Sequence, residues 1–260
     1  MKWPAFLFCT TAACSPLAMP ATAVAGCDAQ SGGNTVALVE LYTSEGCSSC
    51  PPADARLSHL DRALEAGARA IPLALHVGYW DYLGWNDPFA QDAFARRQEW
   101  LVHVNHHATV YTPHFFVGGT EIELAPAALP AAVQKVNATR AAANIRVQAR
   151  IGADAQLVVD ADATTAGRAR PAALYVAVTE NGLTSQVARG ENDGVTLHED
   201  HVVRAWLGPF DLSGGAVHAQ RTLALPAAWK RDQLDVVAFV EDPQTGAVLQ
   251  AVSAASCARA

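Results

Sequence analysis

Residues 35–42 run T-V-A-L-V-E-L-Y, an almost unbroken apolar stretch rich in Val and Leu, which predicts a buried β-strand. Leu57, Leu60 and Leu64 then recur at helical spacing within residues 54–66, with Pro51-Pro52 ahead of them and Gly67 behind, the punctuation of a helix start and stop. Residues 71–77 form a second apolar strand. An aromatic segment follows, G-Y-W-D-Y-L-G-W-N-D-P-F over residues 78–89, in which Asp87-Pro88 reads as the N-cap and first-turn proline of a helix reaching about Val104. The run T-P-H-F-F-V (112–117) is again strand-like, Gly118-Gly119 predicts a tight hairpin into residues 120–124, and an alanine-rich helix over 127–143 closes the unit. The predicted order is β-α-β-α-β-β-α, an alternation that argues for an α/β layered fold.

The pattern changes beyond Asn144. Short strand-like runs at 145–151, 156–160, 174–179, 201–206, 222–225, 236–240 and 248–252 are separated by turn clusters such as Glu180-Asn181-Gly182 and Ser213-Gly214-Gly215. Without a convincing long helix, this predicts an antiparallel β-sandwich. The expected domains are therefore 34–143, α/β, and 144–257, all-β. The string R-G-E-N-D-G at residues 189–194 reads as an ordinary turn.

Composition narrows the function classes. The 260 residues carry a formal net charge of -7 and contain no basic cluster, which argues against a nucleic-acid partner. At the N-terminus, Lys2 precedes a stretch of apolar and small residues that ends in Ala23-Val24-Ala25, the pattern of an export signal over residues 1–25. Val24-Ala25-Gly26-Cys27 also fits a bacterial lipoprotein box, which would leave Cys27 lipidated. No later apolar run approaches about 20 residues, so no membrane span is expected in the mature chain.

Export decides how the cysteines are read. Cys9 and Cys14 leave with the signal, and Cys27, Cys47, Cys50 and Cys257 remain, an even number in an oxidising compartment. Cys27 and Cys257 stand at the two ends of the mature chain and are expected to bridge. Cys47 and Cys50 form a Cys-x-x-Cys where the first strand meets the first helix. Free backbone N–H groups and the helix dipole there favour a thiolate at Cys47, with Cys50 one turn further on to close back on it. Two rival readings stay open: a structural disulfide, or a copper or zinc site built from Cys47, Cys50 and His114, the last from a group that includes His103, His106 and His107. Glu45, Asp54 and Arg56 around the pair read as a charged surface loop. Tyr79, Trp80, Tyr82, Trp85 and Phe89 read as mixed packing and wall, with Trp80 and Trp85 buried. No G-x-S-x-G and no Gly-rich phosphate loop is present.

Cys47-x-x-Cys50, the β-α-β-α-β-β-α order and Thr112-Pro113 resemble the thioredoxin superfamily. The wider string V-E-L-Y-T-S-E-G-C-S-S-C-P-P (39–52), with H-V-G-Y-W-D-Y-L-G-W-N-D-P-F (76–89) and V-Y-T-P (110–113), closely resembles the bacterial secreted family catalogued as domain of unknown function 1223. That resemblance implies a thioredoxin-like domain and a cis Thr112–Pro113 bond lying against the redox pair, where its backbone meets an extended substrate. It also implies a buried acid near Cys50. Leu41 stands at the usual spacing for that acid and Glu40 one residue further back, so Glu40 is the expected proton relay if the loop absorbs the extra residue. The function expected is an exported thiol–disulfide oxidoreductase without cofactor, acting on protein or small-molecule thiols. Cys47 would exchange and Cys50 resolve.

Overall fold

The computed structural model describes residues 1, 25–165, 171–255 and 257. The expected export signal, with Cys9 and Cys14, lies outside them apart from its two end residues. The first half contains β1 (Ala25–Gln30), β2 (Ala37–Thr43), α1 (Pro51–Ser58), α2 (Leu60–Ala63), β3 (Ala70–His76), α3 (Asp92–Val104), β4 (His114–Val117), β5 (Thr120–Ile122) and α4 (Ala128–Asn137). The second contains β6 (Ala143–Ile151), β7 (Gln156–Thr165), β8 (Ala173–Glu180), β9 (Leu183–Gln186), β10 (Thr196–Glu199), β11 (Val202–Asp211), β12 (Ala216–Ala224), β13 (Leu234–Glu241) and β14 (Val248–Ala254).

One mixed sheet of eight strands, in the order β14-β13-β8-β11-β3-β2-β4-β5, runs through both halves. β2 and β3 pair in parallel, and β11 joins β3 in parallel at Val202↔Ala74. Four strands from beyond residue 144 therefore extend the sheet begun by β2 and β3, and the expected division at 144 separates no sheet. A second, antiparallel sheet of four strands, β1-β6-β7-β12, packs against one end of the first. The sandwich pattern expected for 144–257 is thus half correct: β6, β7 and β12 form a separate sheet, but their partner layer is the shared sheet. No barrel closes among the described residues.

The physical reason is visible in β8 and β13. Leu174, Val176 and Val178 of β8 face the four-stranded sheet together with Val236 and Val240 of β13. Their neighbours Tyr175, Ala177, Val237 and Phe239 face the other way, towards Phe94 and Leu101 of α3. Strands buried on both faces are continuous apolar runs, the mark of an interior position in a layered sheet. The opposite face of β2 carries Ala37, Val39 and Leu41, which pack against Ala53 and Leu57 of α1 and Leu129 and Val133 of α4.

Two helix starts differ from expectation. α3 begins at Asp92 rather than beside Pro88: Asp87 Oδ1 does accept from the Phe89 N–H (2.9 Å), but the turn it caps ends at Ala90, and the helix starts afresh after Gln91. The helix expected over 54–66 is two short ones broken at His59. A Cys27–Cys257 disulfide, with Cα atoms 4.5 Å apart, joins β1 to the chain end. The Cys27 sulfur is therefore not free for the thioether linkage of a lipid anchor.

Candidate functional site

β2 ends at Thr43 and the chain turns through Ser44–Cys50 into α1. Two short turns shape this loop: the Cys47 N–H donates to the Ser44 carbonyl (3.1 Å) and the Cys50 N–H to the Cys47 carbonyl (3.2 Å). They bring Cys47 and Cys50 into a disulfide with Cα atoms 5.4 Å apart. Cys50 is the N-cap of α1 rather than a residue within it, and Pro51 and Pro52 occupy the first turn. Those prolines bring no N–H donors, and the next two, of Ala53 and Asp54, bond to the Cys50 carbonyl. Fewer free donors face the sulfurs than the sequence suggests. Both cysteines are buried, at 0% exposure, while Ser48 and Ser49 between them face solvent.

The register of β4 on β2, with His114 opposite Tyr42, brings the Thr112–Pro113 peptide to the end of β2 where this loop begins. The Thr112–Pro113 bond is cis. Trp80 links the two segments: its indole N–H donates to the Thr112 hydroxyl (2.8 Å), and a Cβ on Gly46 would stand 2.9 Å from the Trp80 Cβ. Trp80 and Trp85 are half-buried, not fully buried as expected, and Tyr82 is 78% exposed beside them. Each indole N–H finds a partner, that of Trp85 the Glu45 carboxylate (2.7 Å).

Glu45 and Asp54, expected on a solvated loop, are buried. The Asp87 carboxylate accepts from the Glu45 N–H (2.9 Å) and pairs with His76 Nδ1 (2.8 Å), tying the loop to β3. Asp54 lies one turn beyond Cys50 on the inward side of α1, and Glu199 of β10 approaches the same buried group. Four carboxylates around one imidazole cannot all ionise out of water. Burial pushes Asp54 up to about 6, and Glu199 up to about 8 by burial with the charge of Asp54. For His76 burial acts downwards, but the Asp87 carboxylate more than offsets it and pushes the imidazole up to about 9. Asp54 Oδ1, His76 Nε2 and Glu199 Oε2 are buried without a hydrogen-bond partner in the protein.

A strap from the second half crosses the cysteine loop. It is the R-G-E-N-D-G segment between β9 and β10. Buried Asn192 donates through Nδ2 to the carbonyls of Glu45 (2.8 Å) and Cys47 (3.0 Å). Glu191 Oε2 accepts from the Ser48 N–H (2.9 Å) and hydroxyl (2.7 Å). Sequence reasoning missed this contact: the turn is legible, but its destination rests on the sheet that joins β11 to β3.

Glu40 does not sit beside the cysteines. It alternates with Leu41, so it faces α3, on the side of the sheet opposite α1. There Arg97 donates to both of its oxygens (2.7 and 3.1 Å) and also to Glu241 (2.6 and 3.3 Å), inside an aromatic surround that includes Tyr175, Trp206 and Phe239. His114 shares that opposite face: it stacks on Tyr111, contacts Gln98 (3.2 Å) and lies 3.1 Å from Glu121. It does not meet Cys47 and Cys50 as the metal reading requires. No group of three or more His, Cys, Asp and Glu side chains among the described residues is placed to hold a metal ion. A cleft of about 800 Å³, lined in part by Asp61, Arg69 and His201, opens near the start of β3, at the other end of the sheet from the disulfide.

Fold and site together define a mixed α/β protein with a Cys-x-x-Cys disulfide at a strand-to-helix junction. The chain belongs to the family described as "Protein of unknown function (DUF1223)", whose pattern matches residues 38–241. Among solved structures it is similar to protein AGR_C_4864 from Agrobacterium tumefaciens, with a TM-score of 0.57, 22% identity, and 87% of this chain and 96% of that one covered. It is also similar to HBP35 of Porphyromonas gingivalis, with a TM-score of 0.63, 18% identity, and 85% and 75% covered. At these identities the likeness concerns the fold. No curated protein matches the chain. Among the described residues no helix is long and apolar enough to cross a membrane, and the disulfides suggest an oxidising compartment.

Proposed function

We propose that this protein is an exported thiol–disulfide oxidoreductase with a thioredoxin-like core, in which Cys47 and Cys50 are the working pair. The observation that carries the reading is the Cys47–Cys50 disulfide at the junction of β2 and α1, with the cis Thr112–Pro113 peptide brought to the same end of β2. A substrate thiolate attacks the Cys47 sulfur, the Cys47–Cys50 bond breaks, and Cys50 leaves as a thiolate that takes up a proton. A second substrate thiol then releases Cys47 and carries away a disulfide. Run in reverse, Cys47 attacks a substrate disulfide and Cys50 resolves the mixed species. Thr112 and Pro113 line the groove in which an extended substrate lies. With Glu40 bound to Arg97, Asp54, buried one turn beyond Cys50 on the inward side of α1 and pushed up to about 6 by burial, takes the proton-holding role. Export behind the signal at residues 1–25 places the pair in the periplasm or outside the cell.

Replacing Cys47 by Ala abolishes thiol-dependent disulfide reduction of a protein substrate such as insulin. The paired Cys27→Ala and Cys257→Ala changes leave that activity in place. Full activity in the Cys47→Ala protein would refute the reading.

One observation favours a second reading: both sulfurs are buried beneath the strap. A purely structural Cys47–Cys50 disulfide would fasten the loop under Asn192, and would resist reduction until the protein unfolds.

A further inference from the structure

The groups that face solvent between the buried sulfurs are Ser48 and Ser49. Glu191 accepts both the N–H and the hydroxyl of Ser48, at 2.9 and 2.7 Å. This carboxylate is not a loose surface side chain. Its neighbour Asn192 is buried and holds the strap to the carbonyls of Glu45 and Cys47, and the strap's turns are set by Gly190 and Gly194, both with φ of +79°. The Ser48 bonds draw the Glu191 carboxyl below the usual carboxylate range, so it carries its charge at any pH where thiolates form. The strap's other charges are Arg189, whose stem runs over Gly84, and the exposed Asp193. The Ser48 N–H, a donor that would otherwise help hold an anion at Cys47, is already occupied by an anion.

We infer that Glu191 selects the substrates of the pair by charge, favouring thiols flanked by cationic groups and disfavouring anionic ones. The inference rests on the oxidoreductase reading and adds a substrate class to it: polypeptide cysteines with basic neighbours, ahead of small thiols that carry free carboxylates. The chemistry is the same for either: two thiols are oxidised to one disulfide while Cys47–Cys50 is reduced to two thiols. Only the approach of the first thiolate differs. A unit charge about 6 Å away in water changes that rate by about threefold in each direction, so a cationic and an anionic thiol separate by about tenfold at low salt. Screening removes most of the gap near 1 M salt.

The test compares cysteamine with 2-mercaptoethanesulfonate on the intact mature protein. Rates are taken per thiolate, and opening of Cys47–Cys50 is read by alkylation and peptide mass. The native protein is expected to prefer cysteamine by about tenfold at low ionic strength. Glu191→Gln keeps an acceptor for Ser48 and should bring the two rates close to equal, while Glu191→Lys inverts the order. Ser48→Ala loosens the tie but leaves the charge, so both rates move together and their ratio is kept. An unchanged ratio in Glu191→Gln and Glu191→Lys, or equal acceleration of both thiols, would overturn the charge selection and leave the oxidoreductase reading standing. A folded protein that neither thiol can open would overturn both.

Discussion

Asp54 and Glu199 hold their protons to higher pH in the fold than the ordinary carboxylate values of 3.8 and 4.5 allow. The native state therefore binds more protons than the unfolded chain in the window up to about 8, and stability falls as pH rises through it. His76 acts in the same direction: its contribution is full below the ordinary 6.5 and is lost as pH rises through about 9. Urea unfolding should give a stability lower at pH 9 than at pH 5, by on the order of a few kcal/mol. Glu199→Gln should flatten part of that slope, and a stability that instead rises from pH 5 to pH 9 would contradict the buried group. These residues were hard to read from sequence for a plain reason. A carboxylate two or four residues from a cysteine looks like surface charge until β10 and β3 are known to close over it. The Cys47–Cys50 pairing was legible because two intervening residues at a strand-to-helix junction keep the sulfurs within closing distance, whereas the cis Thr112–Pro113 bond was expected only from the family resemblance. Glu40 was misplaced by one residue of strand alternation, which carries a side chain from one face of a sheet to the other.

The strap between β9 and β10 is the element that ties the second half of the chain to the cysteine loop. Asn192 supplies two buried hydrogen bonds, one to the Glu45 carbonyl and one to the Cys47 carbonyl, which also accepts from the Cys50 N–H. Asn192→Ala should cost about 1–3 kcal/mol in unfolding experiments, the usual effect of leaving a buried acceptor, here the Glu45 carbonyl, without its donor. It should also speed the opening of Cys47–Cys50 by dithiothreitol. An opening rate equal to that of the native protein would mean that the strap does not cover the sulfurs. β9 and β10, which flank the strap, lie outside the strand runs read from the sequence, because L-T-S-Q and T-L-H-E are short and largely polar, whereas β6 and β7 cover the runs expected at 145–151 and 156–160. β8 and β13 carried a different signal, continuous apolar runs in place of alternation, and that signal marks burial on both faces. Sequence spacing reveals such a strand but not which sheet it enters, because the partner is chosen by packing over long separations.

At the scale of the whole molecule, the eight-stranded sheet makes the two expected domains into one mechanical unit. The Cys27–Cys257 bridge closes a sequence separation of 230 residues, and in the chain-entropy model a loop of that length contributes about 5 kcal/mol. It stands in a different part of the molecule from Cys47–Cys50, packed with the core between β6, β7 and β13, and the two disulfides are separable by experiment. A strap from one half, a loop from the other and a buried set of acids beneath them all converge on Cys47–Cys50. The oxidoreductase account requires that this pair open and close within the range of biological thiols. The most direct measurement is its reduction potential, taken against a glutathione or dithiothreitol series on the mature protein, with Cys27–Cys257 followed separately by peptide mass. The account predicts a value between roughly -120 and -270 mV, where working dithiol–disulfide pairs lie. A value below about -300 mV would mark Cys47–Cys50 as a structural bond and contradict the account.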